Sequence, residues 1–192
     1  MRKRVLIAGG GELLEALSRA FLEEGATVGL LTPDSACLES ILDGLGGEHV
    51  DRFGVVAGEG ALESLLARLG RLDVLVCAPQ RLSRSVSLER RLSEQVVDPT
   101  SLLQVAQAWM HSRGGGRLIA VAPDGESQAA SMVREALAAL VRRLADSGGP
   151  GIRVNLLCPQ GASSAAVADC ARFLAGGGGR ALNGQVLKLN DT

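Results

Sequence analysis

Tyrosine is absent from this sequence of 192 residues, and aromatic side chains make up only 2% of it. Any chemistry that depends on a phenolic proton donor supplied by this chain is therefore excluded. Lysine is almost as scarce, since Lys3 and Lys188 stand alone at opposite ends of the chain. Asparagine occurs only in the last quarter of the sequence, at Asn155, Asn183 and Asn190. Lysine ammonium groups and asparagine amides are thus missing from most of the chain.

Metal-binding and membrane-spanning patterns are also missing. The sequence has no CxxC pair, and its two histidines, His49 and His111, do not stand at ligand spacing. We therefore predict no metal site. The cysteines are expected to be free thiols in a reducing cytoplasm; they are Cys37, Cys77, Cys158 and Cys170. No apolar run approaches the roughly 20 residues that a membrane span needs.

The composition that remains is that of one globular domain covering residues 1–192. Hydrophobic residues make up 46% of the chain and charged residues 21%, which is unlike a disordered protein. The formal net charge of −1 gives no general attraction to nucleic acid or to a membrane surface. We therefore expect no nucleic-acid partner and a cytoplasmic location.

Seven apolar runs predict β-strands, and segments with helical periodicity separate them. The predicted strands are Val5–Ala8, Thr27–Leu31, Val50–Ala57, Leu72–Pro79, Arg117–Pro123, Gly151–Pro159 and Gly184–Asn190. Four predicted helices are Glu12–Glu24, Ala61–Leu69, Ala129–Asp146 and Ala165–Leu174. Two more are predicted from their caps: one begins after Asp34, and one begins after Asp98 with Pro99 in its first turn. Residues 80–97 give no clear pattern. This alternation predicts an α/β fold, a Rossmann-like doubly wound parallel sheet of about seven strands with helices on both faces.

Three stretches resemble the short-chain dehydrogenase/reductase (SDR) family in composition, order and spacing. They are "LDVLVCAP" (Leu72–Pro79), "GGGRLIAVAP" (Gly114–Pro123) and "LVRRLADSGGPGIRVNLLCPQG" (Leu140–Gly161). The ending "FLAGGGGRALNGQVLKLND" is similar to the last helix and strand of that family. The resemblance implies a nicotinamide-dependent oxidoreductase fold, here in a degenerate and shortened form.

The catalytic residues that the resemblance implies are missing from their places. Alignment on "LVRRLA" puts the family's tyrosine at Ala130 and its lysine at Arg134. The polarising serine would stand where Ala122 and Pro123 stand, and no asparagine occurs on the preceding helix. We therefore name no catalytic residue. Arg134 is interpreted as a solvated helix residue, although it could keep a positive charge at the lysine position.

The sequence after the first strand keeps only part of a dinucleotide-binding loop. Gly9, Gly10 and Gly11 are candidates for a vestigial cofactor site, but Glu12 and Leu14 stand where further glycines would admit a pyrophosphate. We interpret the glycines as a tight turn and predict no cofactor, with NAD or NADP only if the enzyme alternative holds. The family's ribose-binding acid would fall near Thr32 or Pro33, and its asparagine motif at 77–80 is absent.

The segments that the family uses for oligomerisation are kept. They are helices 99–112 and 129–146 and strand 184–190, with Trp109 either an interface anchor or a residue packed under its own sheet. Three hypotheses follow from this combination. The first is a catalytically inactive subunit (pseudoenzyme) that assembles with a competent NAD(P)-dependent SDR partner. The alternatives are an active oxidoreductase with an atypical site and a non-catalytic dinucleotide or small-ligand sensor.

Overall fold

The computed structural model describes residues 2–48, 50–80, 82–83 and 85–190. Its strands are β1 (Arg4–Ala8), β2 (Thr27–Thr32), β3 (Arg52–Val56), β4 (Val74–Cys77), β5 (Gly116–Val121), β6 (Ile152–Pro159) and β7 (Val186–Leu189). They form one sheet in the order β3-β2-β1-β4-β5-β6-β7, and every pair is parallel. The predicted seven-stranded parallel sheet is confirmed. The third, fourth and seventh strands are shorter at both ends than the sequence predicts.

Helices cover both faces of the sheet. They are α1 (Gly11–Glu23), α2 (Ser35–Gly44), α3 (Ala61–Leu69), α4 (Leu88–Leu92), α5 (Asp98–His111), α6 (Gln128–Ser147) and α7 (Ser164–Ala175). The buried residues of α3, α5 and α6 share one hydrophobic cluster, and those of α1, α2 and α7 share the other. This two-sided core is the doubly wound arrangement that the alternation of strands and helices predicts.

Helical periodicity and capping residues explain the first two helices. Leu14, Leu17 and Phe21 are fully buried along one stripe of α1, and Gly25 ends it with φ +74°. At the start of α2, the Asp34 carboxylate accepts hydrogen bonds from the backbone N–H groups of Ala36 (2.9 Å) and Cys37 (3.3 Å). Asp34 is therefore the helix cap that the sequence predicts.

The helix that contains Asp98 and Pro99 begins at Leu88, so the prediction that Asp98 caps it is wrong. α4, a π-helical turn over Ser93–Val97 and α5 follow one another directly. Pro99 has no N–H, and in a regular helix its ring would clash with the Gln95 carbonyl. The wider turn, in which the Asp98 N–H donates to the Ser93 carbonyl, avoids that clash. Residues 88–97, which gave no clear pattern, thus extend this helix.

Trp109 packs against the core cluster on its own side of the sheet and is only half-buried. Its indole N–H is buried with no hydrogen-bond partner among the described residues. The guanidinium of Arg113 stacks on its outer side, 3.7 Å from the ring centroid. The packing interpretation of Trp109 is therefore confirmed, while a role at an interface stays a prediction.

Neither a metal cluster nor a membrane-spanning helix is found in the part of the chain that the structure describes. None of its groups of His, Cys, Asp and Glu side chains could hold a metal ion, and none of its helices is long and apolar enough to cross a bilayer. His49, considered above as a metal ligand, lies outside the described residues.

Gly9 stands where β1 passes closest to the residue that follows β4. It has φ +147°, and a Cβ at this position would lie 2.6 Å from the Ala78 carbonyl oxygen. The Gly9 N–H donates to the Leu31 carbonyl at 2.9 Å, so the backbone has no freedom to move away. A side chain at position 9 would therefore strain both the backbone and its contact with Ala78.

We expect Gly9→Ala to lower the free energy of unfolding by about 1–4 kcal/mol, because strain and overlap add at this position. Gly10→Ala is the matched control, since Gly10 has an extended backbone and the nearest atom, Thr32 Oγ1, lies 3.9 Å away. It should change the free energy by less than about 1 kcal/mol. Urea unfolding of both variants measures the difference, and equal effects would contradict the packing role of Gly9.

Candidate functional site

The carboxyl ends of the strands meet at one edge of the sheet, and a cavity of about 340 Å³ lies there. We call it the carboxyl-edge cavity. Its walls include Gly10 after β1, Pro79 after β4, Ala122 after β5 and Pro159 at the end of β6. This is the edge at which doubly wound proteins bind their ligands. The carboxyl-edge cavity is therefore the candidate functional site.

A second cavity of about 390 Å³, the adjacent cavity, shares Gln80 with the first. It reaches from Gly9 and Pro33 to the start of α5 at Asp98. Together the two cavities span the crevice on either side of the β1–α1 turn. An extended dinucleotide would have to occupy both of them.

The three glycines that the sequence marks as a vestigial cofactor site form the turn between β1 and α1. Gly9 and Gly11 have positive φ angles of 147° and 70°, whereas Gly10 is extended. The Gly11 N–H lies in the first turn of α1 and so has no acceptor within the helix; it lies 3.5 Å from the Cys37 sulfur. The geometry is that of a tight turn, as the sequence predicts, with one helix donor already directed at a protein group.

Side chains follow this turn at the place where phosphate oxygens would approach a dinucleotide-binding helix. Glu12 is exposed and Leu13 half-buried, and both line the carboxyl-edge cavity, while Leu14 is fully buried in the core. A carboxylate in the first turn already interacts favourably with the positive end of the helix. It would also repel a phosphate placed there by roughly 1–3 kcal/mol at about 5 Å.

The charges of the described residues around both cavities are unfavourable for a pyrophosphate. In the carboxyl-edge cavity, the carboxylates of Glu12 and Asp124 outnumber the guanidinium of Arg91. The adjacent cavity is lined by Glu94 and Asp98, with no cationic side chain among the described residues that form it. Partial burial, and then the nearby Glu94 carboxylate, raise the pKa of Asp98.

The positions that the family resemblance assigns to catalysis carry no proton donor. Ala122 is fully buried at the end of β5, and Pro123 follows it on the wall of the cavity. Ala130, at the tyrosine position, is 4% exposed in the first turn of α6. Ser127 caps this helix through a hydrogen bond from the Ala130 N–H (3.1 Å). Its hydroxyl thus has a structural partner.

Arg134 stands at the lysine position, but its guanidinium is bound to the loop in front of α6. Nη1 donates to the Gly125 carbonyl at 2.6 Å, and Nη2 donates to the Ser131 hydroxyl at 2.8 Å. Arg134 is not among the residues that line either cavity. The structure therefore places its charge in a loop contact rather than inside the carboxyl-edge cavity.

Gln95 is a residue of the cavity wall that the sequence analysis missed. It lies in the π turn, is 3% exposed, and donates from Nε2 to the Gln80 carbonyl at 3.1 Å. Its Oε1 is buried without a partner among the described residues. The sequence gives no local signal for it, because Pro99, four residues later, is typical of the first turn of a helix as well as of an irregular turn.

The remaining residues considered for cofactor binding have structural roles. Thr32 is fully buried, and Asp34 caps α2 as described above. Burial raises the pKa of the Cys77 thiol to about 12, so this residue at the start of the 77–80 motif stays protonated. Asn155 is buried and bridges to the Leu182 carbonyl (3.0 Å) and the Gln185 N–H (3.1 Å).

The connection between β6 and α7 is short. β6 ends at Pro159 and α7 begins at Ser164, so only residues 160–163 separate them. The Asp124 carboxylate accepts hydrogen bonds from the N–H groups of Gly125 (2.8 Å) and Gly161 (3.2 Å), which fixes this connection to the loop after β5. Ala162 of this connection lines the carboxyl-edge cavity, and residues 160–163 contain no helix that could cover it as a lid.

Comparison with known proteins identifies the architecture. No protein-family model and no curated protein matches the sequence. Among solved structures, an oxidoreductase of the short-chain dehydrogenase/reductase family from Burkholderia thailandensis superimposes with a TM-score of 0.86 at 25% identity, covering 98% of this chain and 91% of that one.

Two enzymes of known activity are also similar in fold. A hydroxysteroid dehydrogenase from Escherichia coli gives a TM-score of 0.83 at 20% identity, with 97% of this chain and 94% of that chain covered. A 3-ketoacyl-(acyl-carrier-protein) reductase from Brucella melitensis, solved with NADH, gives 0.83 at 19% identity, with coverages of 97% and 96%. The resemblance predicted from the sequence is thus confirmed, and the chain has the short-chain dehydrogenase/reductase fold over nearly its whole length.

Proposed function

We propose that this chain is a non-catalytic subunit with the short-chain dehydrogenase/reductase fold, which assembles with a competent NAD(P)-dependent partner of the same fold. The observation that carries the proposal is the missing proton donor. Reduction of a carbonyl group needs an acid within hydrogen-bonding distance of the developing alkoxide. The positions where this fold supplies one hold Ala122, Pro123 and Ala130.

The groups that do line the carboxyl-edge cavity are a poor substitute for that donor. The Gln95 amide is held by the Gln80 carbonyl, and the Asp124 carboxylate accepts from two backbone N–H groups of its own loop. Arg91 donates to the Ser83 carbonyl at 3.1 Å. Each of these side chains thus has a partner that stabilises the site without a substrate.

We also propose that the chain holds no resident dinucleotide, and the charges of the described residues support this. A bound pyrophosphate is normally neutralised by helix N–H groups and by cations. Here Glu12 occupies the first turn of α1, and Glu94 and Asp98 line the adjacent cavity. We therefore propose that the fold is kept for assembly rather than for cofactor binding.

The surface of α5 and α6 supports an assembly role. The two helices cover the same face of the sheet, and the Gln107 side chain donates to the Leu144 carbonyl at 2.8 Å between them. Val105 on α5 and Met132 on α6 are each 43% exposed, so both helices present an apolar side chain that a partner could cover. We propose these helices and the outer strand β7 as the contact with the partner.

One observation favours a second candidate function, a small-ligand sensor. The buried Gln95 oxygen has no partner among the described residues, and it lies in the wall of a cavity of about 340 Å³. A ligand with an N–H or O–H donor would satisfy it. Calorimetry with the four nicotinamide dinucleotides distinguishes the candidates, because the subunit should give no heat of binding and a dinucleotide sensor should bind at micromolar concentration.

We expect the purified chain to oxidise neither NADH nor NADPH in the presence of aldehyde, ketone and 3-oxoacyl thioester substrates, because it has no proton donor for the product alkoxide. Absorbance at the nicotinamide band measures this against a protein-free blank. Arg134→Gln is the informative variant, since Arg134 is the only cation at a catalytic position of the family. The proposal would be contradicted if the wild type oxidised either coenzyme and the Arg134→Gln variant did not.

We expect the chain purified from its source cell to carry a second, complete short-chain dehydrogenase/reductase at a fixed ratio, as measured by native mass spectrometry. Val105→Asp and Met132→Asp should each dissociate the complex, because they place a charge in an apolar contact. Val56→Asp is the matched control, as Val56 is a similarly exposed residue on the outer strand β3, at the other end of the sheet. A wild-type chain that is recovered alone would overturn the proposal.

A further inference from the structure

A third cavity, of about 390 Å³, lies at the opposite edge of the sheet, where the strands begin. We call it the amino-edge cavity. It is bordered by residues just before or at the start of β1, β4 and β5, including Lys3, Asp73 and Arg117, and by the backbone of Gly114–Gly116 and Gly151. It shares no residue with the two cavities of the candidate functional site. A ligand here would be independent of the carboxyl edge.

The charge of the amino-edge cavity is strongly positive. Its cationic residues are Arg2, Lys3, Arg71, Arg117 and Arg180, and its one acid among the described residues is Asp73. The Asp73 carboxylate is already engaged, because it pairs with Arg71 Nε at 2.6 Å and accepts from the Arg4 backbone N–H at 2.9 Å. Lys3 is also paired, with the Glu24 carboxylate at 3.2 Å, so the positive charge that no ion pair of the described residues compensates is that of Arg2, Arg117 and Arg180.

Arg117 is the central cation of this group. Its Nε is buried and has no hydrogen-bond partner among the described residues, and its Nη1 reaches only the carbonyl of the preceding residue, Gly116, at 3.0 Å. No carboxylate of the described residues forms an ion pair with Arg117 or Arg180. A partly buried guanidinium without an anion is an unfavourable arrangement.

Like charges face one another around Arg117. Arg117 on β5 pairs in register with Arg153 on β6, so two guanidinium side chains leave the same face of neighbouring strands. Side chains of equal charge directly opposite one another destabilise a sheet. Partial burial, and then the charges of Arg153 and Arg180, lower the pKa of Arg117. Arg153 itself is held by carbonyl groups, including that of Arg180 at 3.1 Å.

We propose that the amino-edge cavity binds a doubly charged oxyanion of the phosphate type, with Arg117 and Arg180 as its principal ligands. Planar guanidinium groups donate in pairs to phosphate oxygens, and a bound anion supplies the negative charge that no carboxylate of the described residues gives to Arg117 and Arg180. The glycine backbone of 114–116 and 151 leaves this wall free of side chains, which allows an anion to approach the arginines closely. This proposal does not depend on the proposed function.

A purely structural role is the competing explanation. Ala175, the last residue of α7, borders the cavity, and the carbonyl groups at the end of a helix attract cations. If the arginines interact only with this helix end, they stabilise the folded protein equally in every buffer. If they bind an anion, they repel one another in its absence, and their contribution to folding stability then depends on the anion.

The experiment compares melting temperatures of the full chain in sodium phosphate and in sodium chloride of equal ionic strength at pH 7.5. We expect phosphate to raise the melting temperature in a saturable way, because a ligand that binds only the folded state stabilises it. Arg117→Gln should lose this rise, and its melting temperature in chloride should be equal to or above that of the wild type. Isothermal calorimetry should show a single site whose affinity falls roughly 10- to 100-fold in the variant, as for one lost charged hydrogen bond.

Two further variants complete the test. Arg180→Gln changes an exposed side chain, so it keeps the fold and should weaken phosphate binding as well. Arg19→Gln is the matched control, because Arg19 is an exposed arginine on α1, paired with Glu15 at 3.1 Å, and it should bind phosphate as the wild type does. An organic monoester such as phenyl phosphate distinguishes the source, since tighter binding than inorganic phosphate indicates an ester ligand. The proposal is overturned if phosphate and chloride give the same melting temperature, or if Arg117→Gln lowers it equally in both.

Discussion

The parallel alignment of all seven strands is the constraint on which the rest of this structure depends. Because the strands are parallel, their carboxyl ends all lie at one edge of the sheet and their amino ends at the other. Residues far apart in sequence therefore share one environment at each edge. At the carboxyl edge, that environment combines buried alanines and prolines with carboxylates. At the amino edge it combines arginines with bare glycine backbone. Among the described residues, the two edges of one sheet thus have opposite electrostatic character.

The periodicity of the sequence predicts the sheet, its parallel strands and both helical layers, because each strand is a short apolar run and each long helix has one buried stripe. The sequence also predicts the cap at Asp34, since that cap depends on neighbours close in sequence. The sequence also shows directly that tyrosine is absent, while the absence of catalytic residues stays a prediction. The helix over 88–111 could not be predicted, because Asp98 and Pro99 form a typical helix start and only tertiary packing decides against it.

The parts of the site that escaped prediction share one physical cause. Gln95 is polar and lies in a segment without periodicity, and its burial follows from the fold of the chain around it rather than from local sequence. The arginines at positions 117 and 180 are separated by about a third of the chain and line one cavity only because β5 begins beside the end of α7. Contacts of this kind are set by topology, and no spacing rule within one segment reports them.

The π turn at 93–97 has a consequence for the surface of the molecule. A single extra residue in a helical turn advances the angular position of every later side chain by about 100°, the rotation of one residue. The segments before and after the turn therefore present different stripes to their surroundings. α4 packs toward α6, whereas α5 lies over β4 and β5. The continuous helix from α4 to α5 therefore packs against α6 with one stripe of side chains and against the sheet with another.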